Sequence, residues 1–370
     1  MSSSIKSTAL EPDASLDGAA DTLARRLARA MPAYGLVVLM VALAALFSVL
    51  LPDTFPTLFN LRAILSDKSV IALLALAAMI PMLTGKIDLT VGYGIVLWHI
   101  LAISLQTRFG LSWPVAVLVV LACAALFGML NGLLVELAQI DSFIATLGTG
   151  TVLYAVAMWH SGGRQVVGEL PEGFLQLAGA DLFGLPIPAF YVLGIALLLW
   201  AVTEFMPLGR GLYVIGANPK AAELNGLSVR RHVMGAFIAS GLLSGFAGVL
   251  LASRLQIGQA SVGLEFLLPA LVGAFLGSTT IRPGRVNVWG TLVGVAILAI
   301  GISGIQQFGG AFFVEPLFNG LTLLISIGIA GWAQQRRNAS IRRRIAQRQL
   351  GTPAAAAPTS LPTEPITATT

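Results

Sequence analysis

Charge is what this chain has least of. Asp, Glu, Lys and Arg make up 11% of its 370 residues, where a soluble domain carries about a quarter. A conventional water-facing surface cannot be assembled from so few, so lipid must cover most of the protein. Cysteine is nearly absent too. The single Cys123, inside the apolar run Val115 to Leu130, has no partner for an intramolecular disulfide or a metal cage and is expected to be buried filler. His-Glu-x-x-His, Gly-x-Ser-x-Gly and suitably spaced carboxylate pairs are missing, which leaves no catalytic residues, metal or cofactor to expect. The P-loop is missing as well. The one Gly-Lys, Gly85-Lys86, is followed by Ile87, so the chain cannot hydrolyse ATP by that route. Its net charge of +5 does not point to nucleic acid, because the basic residues are scattered over loops and ends without an aromatic-interleaved face.

What is present is apolar sequence. Hydrophobic residues make up 56%, and runs of about 20 residues are long enough to span a bilayer. Ten segments qualify: Tyr34 to Leu51, Val70 to Leu83, Val91 to Leu105, Pro114 to Leu137, Phe143 to Trp159, Ala189 to Met206, Val233 to Ala252, Phe266 to Gly277, Val288 to Ile305 and Phe312 to Trp332. The expected fold is all-α, a polytopic transmembrane helical bundle over residues 34–332. The second, third and eighth segments are short, as broken helices lining a cavity are. Forty glycines read as close helix packing and hinges, since small residues let membrane helices approach. Residues 1–33 form a polar tail ending in Arg25, Arg26 and Arg29, too long and too charged for a signal peptide. Residues 333–370 are basic, then rich in Pro, Thr and Ala. Both tails are expected to be disordered and cytoplasmic.

The basic residues set the orientation. With the N-terminus inside, seventeen of the 22 Lys and Arg fall in inside segments, and only Arg62, Lys68, Arg108, Arg164 and Arg254 fall outside. That bias supports ten crossings with both ends in the cytoplasm. Five segments per half give the parity of an inverted repeat. Leu83 to Gly92 and Leu255 to Gly263, both glycine-punctuated and ending in Val-Gly, are a faint trace of one.

Between the sixth and seventh segments lies Gly209 to Gly226. Asn218 is a favoured N-cap, Pro219 suits the first helical position, and Gly226 can take the left-handed conformation that stops a helix. The expected helix, Pro219 to Asn225, is too short to persist in water unless it docks on something. It is either a coupling helix seated in a partner's groove or a connector packed on its own bundle. Asp88 is either a cap at the start of the third segment or part of a solute path, because a charge at the bilayer centre costs about 2.5 to 3.5 kcal/mol. Trp98, His99, Asn131, Gln306 and Gln307 are the unusual occupants of the spans. Trp98 suits stacking on a sugar face or anchoring at the interface, and His99 and Asn131 suit hydrogen bonding to a solute or to another helix. His160 and His232, at span ends, are expected to do nothing chemical. Glu204, Glu265 and Glu315 fall near span ends, which weakens an ion-coupled mechanism.

From about Asn60 to Trp332 the chain resembles the permease subunits of bacterial ATP-binding-cassette importers of the ribose, xylose and autoinducer-2 type, in the branched-chain amino acid and sugar permease superfamily. Gly85 to Gly92 is similar to that family's Gly-Gly-Ile-Asp-Leu-Ser-Val-Gly. Phe143 to Gly148, Ser161-Gly162-Gly163, Gly241-Leu242 with Gly245, Ala247-Gly248 and Arg254-Leu255 match further family segments. Gly216, Asn218, Ala221, Ala222 and Gly226 fall at matching positions of its cytoplasmic loop. The resemblance implies an inner-membrane permease dimer, fed by a periplasmic solute-binding protein and driven by cytoplasmic ATPase subunits. Gly216, Asn218, Pro219, Ala221, Ala222, Glu223 and Gly226 would then contact the motor, and Asp88, Thr90, Trp98, His99 and Asn131 would line the path of a pentose, hexose or polyol. Lys86, and Leu276 to Arg285 in place of a glycine-rich segment, depart from the pattern. An ion-coupled transporter and a non-transporting membrane scaffold are the alternatives.

Overall fold

The computed structural model describes residues 34–310, 313–322, 324–325 and 328; both expected tails and the end of the tenth segment lie outside them. The chain begins with α1 (Tyr34–Leu50). It continues through α2 (Leu58–Met82), α3 (Thr90–Thr107), α4 (Trp113–Glu136), α5 (Ser142–Ser161), the short α6 (Glu172–Gly179) and a hairpin of β1 (Asp181–Leu182) and β2 (Leu185–Pro186). Then come α7 (Ile187–Phe205), α8 (Pro207–Ala217), α9 (Pro219–Leu224), α10 (Val229–Leu255), a 3-10 turn at Leu264–Phe266, α11 (Leu267–Leu276) and α12 (Val288–Gln307). A further helical stretch covers 314–322. Among the described residues seven helices, α2, α3, α4, α5, α7, α10 and α12, are long and apolar enough to cross a membrane.

Two of the segments expected to be short are not. Cutting the second at its charges removes the first three turns of α2, which is 25 residues long and starts where Thr57 Oγ1 accepts from the Asn60 amide at 3.2 Å. Its basic side chains have acidic partners, Arg62 with Asp181 and Lys68 with Glu315, Nζ to Oε1 3.2 Å. Helix α3 has 18 residues, whereas α11, with ten, is short as expected.

Helix α2 is the axis of the fold. Every residue from Ser69 to Pro81 is buried, as suits a stretch that is apolar all round, and the helix packs on α7, α10, α11 and α12. Around it, α3 and α10 contribute Ile95, Ile100, Ile103 and Leu250 to the core. Leu118 of α4, Val152 of α5 and Leu198 of α7 are exposed, where lipid can meet them. Cys123 is half-buried against the core, not fully enclosed.

The glycines do hold helices together. Gly128 and Gly132 of α4 face α10, and Gly241 and Gly245 of α10 face α4. A Cβ on Gly128 would collide with the Phe237 carbonyl, and one on Gly241 with the Ala124 carbonyl. At Gly132 it would lie 2.9 Å from Met234 Cα, and at Gly245 2.7 Å from Ala124 Cβ. Two Gly-x-x-x-Gly faces thus let backbone touch backbone.

Candidate coupling and translocation site

The stretch expected to be a loop with one small helix is a pair of helices. Helix α8 starts with Pro207 at its first position and buries Leu212 and Ile215. Its glycines sit where a side chain would clash: a Cβ on Gly211 would lie 2.9 Å from His232 Nε2, and one on Gly216 would strike the Leu83 carbonyl at the end of α2. Asn218 separates α8 from α9, and its Oδ1 accepts from the Ala221 amide at 3.0 Å. At the other end Gly226, at φ +82°, completes a Schellman cap. Its amide donates to the Glu223 carbonyl at 2.9 Å, and the Leu227 amide donates to the Ala222 carbonyl at 3.1 Å. The helix is six residues long, one fewer than expected, because Asn225 serves as the C-cap and bonds back to the Ala221 carbonyl through Nδ2 at 2.8 Å.

One face of α9 belongs to the bundle. Ala222 is fully buried in a small cluster with Val135, Ala145, Ile215, Val233 and Phe237. The other face is open: Leu224 is 79% exposed, and Lys220 and Glu223 pair on the surface at 2.9 Å. The Lys220 ammonium holds the Glu223 carboxyl below its ordinary range, by hydrogen bond first and charge second. The segment after α2 lies against α8 at Gly216, so contact runs from α9 through α8 to Leu83 and Thr84.

That segment carries Asp88 into a buried polar network. Its Oδ1 accepts from the Thr90 amide at 2.9 Å and from the Thr90 hydroxyl, and its Oδ2 accepts from Ser240 Oγ of α10 at 2.8 Å. Asn131 of α4 donates from Nδ2 to Thr90 Oγ1 at 3.1 Å, and its Oδ1 accepts from Thr149 Oγ1 of α5 at 2.6 Å. Leu89 N donates to Thr146 Oγ1 at 3.1 Å. Asp88 bonds α3 and α10 directly and Asn131 extends the network to α4 and α5; the N-cap of α3 is Leu89, and Asp88, just before it, accepts from the Thr90 amide.

His99 and Trp98 lie farther along α3. Gln259 N donates to His99 Nε2 at 3.0 Å, which requires that nitrogen to be an acceptor; the proton then sits on Nδ1, 2.9 Å from the Ile95 carbonyl it bonds. His99 is a satisfied, neutral helix-to-loop contact. Trp98 is buried edge-on against Phe127, ring centroids 5.9 Å apart. Of the five residues expected along a path, Asp88, Thr90 and Asn131 are joined directly, while Trp98 and His99 stand apart. His160 Nε2 bonds Ser104 Oγ at 2.7 Å, and His232 Nδ1 bonds the Ser228 carbonyl at 2.8 Å.

Ser240 and Thr149 carry no signal in the sequence, whereas Gln306 and Gln307, unusual in a span, lie at the end of the molecule opposite α9. There Asp67, Lys68, Asn60 and Gln307 border a cavity of about 610 Å³. Asn60 Oδ1 accepts from Gln307 Nε2 at 2.9 Å and from Ser303 Oγ at 3.0 Å, and Arg254 pairs with Asp67. Asp67-Lys68 was the available signal, a charged pair within an otherwise apolar stretch.

Residues 60–330 match the family described as branched-chain amino acid transport system / permease component. The chain belongs to that permease family. Among curated relatives, this permease is 32% identical over 297 residues to the ribose import permease protein RbsC of Bacillus subtilis, covering 80% of this chain and 90% of the relative. It is 29% identical over 265 residues to the D-allose transport system permease protein AlsC of Escherichia coli K12 (72% and 81%) and 28% identical over 302 residues to the Escherichia coli autoinducer 2 import system permease protein LsrD (80% and 91%). No solved structure matches it significantly. It is a multi-pass membrane protein and a transport component.

Proposed function

We propose that this permease forms the translocation path of an ATP-driven importer of a sugar or sugar-like solute, seated in the bacterial inner membrane. The solute class rests on relatives named for ribose, allose and autoinducer 2 import. The energy source rests on α9, a doubly capped six-residue helix with one face docked by Ala222 and the other presenting Leu224 to solvent. A helix this short is held by its surroundings, and an exposed leucine beside a charged pair suits a groove in a cytoplasmic ATPase subunit. The permease supplies no P-loop of its own.

The full reading is ten crossings with both ends inside. It is supported by the segregation of cations: Arg210, Lys220, Arg230 and Arg231 gather at the α9 end, while Arg62, Lys68 and Arg254 at the other end each have an acidic partner. An inverted repeat is supported by the two longest described helices, α2 and α10, which end in glycine-punctuated segments at opposite ends of the molecule. A second permease subunit and a periplasmic binding protein complete the assembly. Within it, the buried network of Asp88, Thr90 and Asn131, with Trp98 and His99 farther along α3, fixes the register of the helices that border the path.

The deciding experiment is uptake by the reconstituted complex carrying Leu224→Asp. Uptake and ATPase co-purification should fall at least tenfold, with membrane insertion unchanged. Normal uptake would remove α9 as the coupling element, and uptake driven by a proton or sodium gradient without ATP would replace the mechanism altogether.

A further inference from the structure

A second cavity, of about 630 Å³, opens beside the α8 and α9 pair. It lies between the end of α2, helix α8 and the turn that leads into α12, and none of its lining residues is acidic. The contrast with the opposite end is direct, because there Asp53 and Asp67 line the cavity together with Lys68. Two arginines, Arg210 and Arg285, line this cavity. Arg282, next in the same turn, is matched by Glu204, whereas neither Arg210 nor Arg285 has an acidic partner among the described residues.

Arg285 is held in place. Its guanidinium carbon lies 3.4 Å from the centre of the Tyr213 ring, and the Tyr213 hydroxyl donates to the Val286 carbonyl at 2.8 Å. Burial pushes the Tyr213 phenol up from its ordinary range, which keeps that proton in place. The Arg285 Nε is buried with no hydrogen-bond partner, a position that an incoming acceptor would relieve. The rest of the wall is apolar: Met82 and Leu83 end a membrane-spanning helix, and Val214 is exposed on α8. A span end places the cavity at headgroup depth, and α8, which buries Leu212 and Ile215, lies at the same level.

We propose that this cavity holds a phosphate group presented by an anionic phospholipid, with Arg210 and Arg285 as its donors and Met82, Leu83 and Val214 against the glycerol and upper acyl chain. Basic pockets between helix ends on the cytoplasmic side favour such headgroups, and paired guanidiniums favour phosphate. The assignment relies on the cytoplasmic placement of α8 proposed above.

Native mass spectrometry of the full-length, detergent-purified permease, without its ATPase, tests it. Phosphatidylglycerol should be retained at least fivefold more than phosphatidylethanolamine, and Arg210→Gln with Arg285→Gln should remove that preference. Arg210→Gln alone, at an exposed position, should fold normally and halve it. Equal retention of the two lipids, or undiminished retention by the double variant, would overturn the site. Displacement of the lipid by millimolar inorganic phosphate would overturn the lipid as its source. Because no uptake is measured, any of these failures leaves the transport reading to be judged by Leu224→Asp.

Discussion

Asp88 shows what a single buried carboxylate does in this fold. Three donors converge on it, and a donor left unpaired away from water costs about 1 to 3 kcal/mol. Asp88→Ala should therefore lower the melting temperature of the purified protein by several degrees. Asp88→Asn, which keeps an acceptor for Thr90 and can donate to Ser240 Oγ, should stay close to wild type; equal losses in the two variants would contradict the network. His99→Leu should leave the Gln259 amide unpaired and destabilise in the same range, visible as faster hydrogen exchange in the segment after α10. Asp88, Asn131 and His99 stood out in the sequence because such residues are rare in apolar runs. Ser240 and Thr149 did not, because a hydroxyl in a helix can satisfy itself locally, as Thr149 does with the Ala145 carbonyl at 2.9 Å. Their long-range partners exist only after folding.

At the level of elements, the caps of α9 were readable and its neighbour was not. Asn218, Pro219 and Gly226 have meanings tied to their own backbone positions, so one short stretch of sequence suffices to place the helix. Helix α8 carries three glycines in eleven residues, which argues for a loop until one sees the surfaces that Gly209, Gly211 and Gly216 must pass. Asn218→Ala should cost about 1 kcal/mol of local stability and reduce coupled ATPase activity severalfold while leaving solute binding by the partner protein unchanged. Gly216→Val should be more severe, because its side chain meets a backbone carbonyl that cannot move aside; wild-type ATPase coupling in that variant would show that α8 does not bear on Leu83. Ala222→Asp, although α9 is the suspected contact, would bury a charge in the bundle itself and so would not isolate docking. Leu224 is the position that does.

For the whole molecule, hydropathy and the sign of charge were enough to indicate a helical membrane protein, but not where its spans begin. A charge does not mark a boundary where it finds a distant partner: Arg62 and Lys68 sit within α2, paired with Asp181 and Glu315, 119 and 247 residues away. The proposed orientation has its own measurement. With Cys123 replaced, a cysteine at Lys220 should be labelled by impermeant maleimide only in inverted vesicles, and one at Arg164 only in intact cells; the reverse pattern would invert the topology. The paired glycine faces of α4 and α10 also constrain how the protein is made. Their contact points, Gly128 and Gly241, are separated by about a hundred residues, so at 5 to 20 residues per second α4 waits roughly 5 to 20 seconds for its partner to emerge. During that interval its bare backbone groove, lined at Gly128 and Gly132, faces lipid or an insertion factor in place of α10.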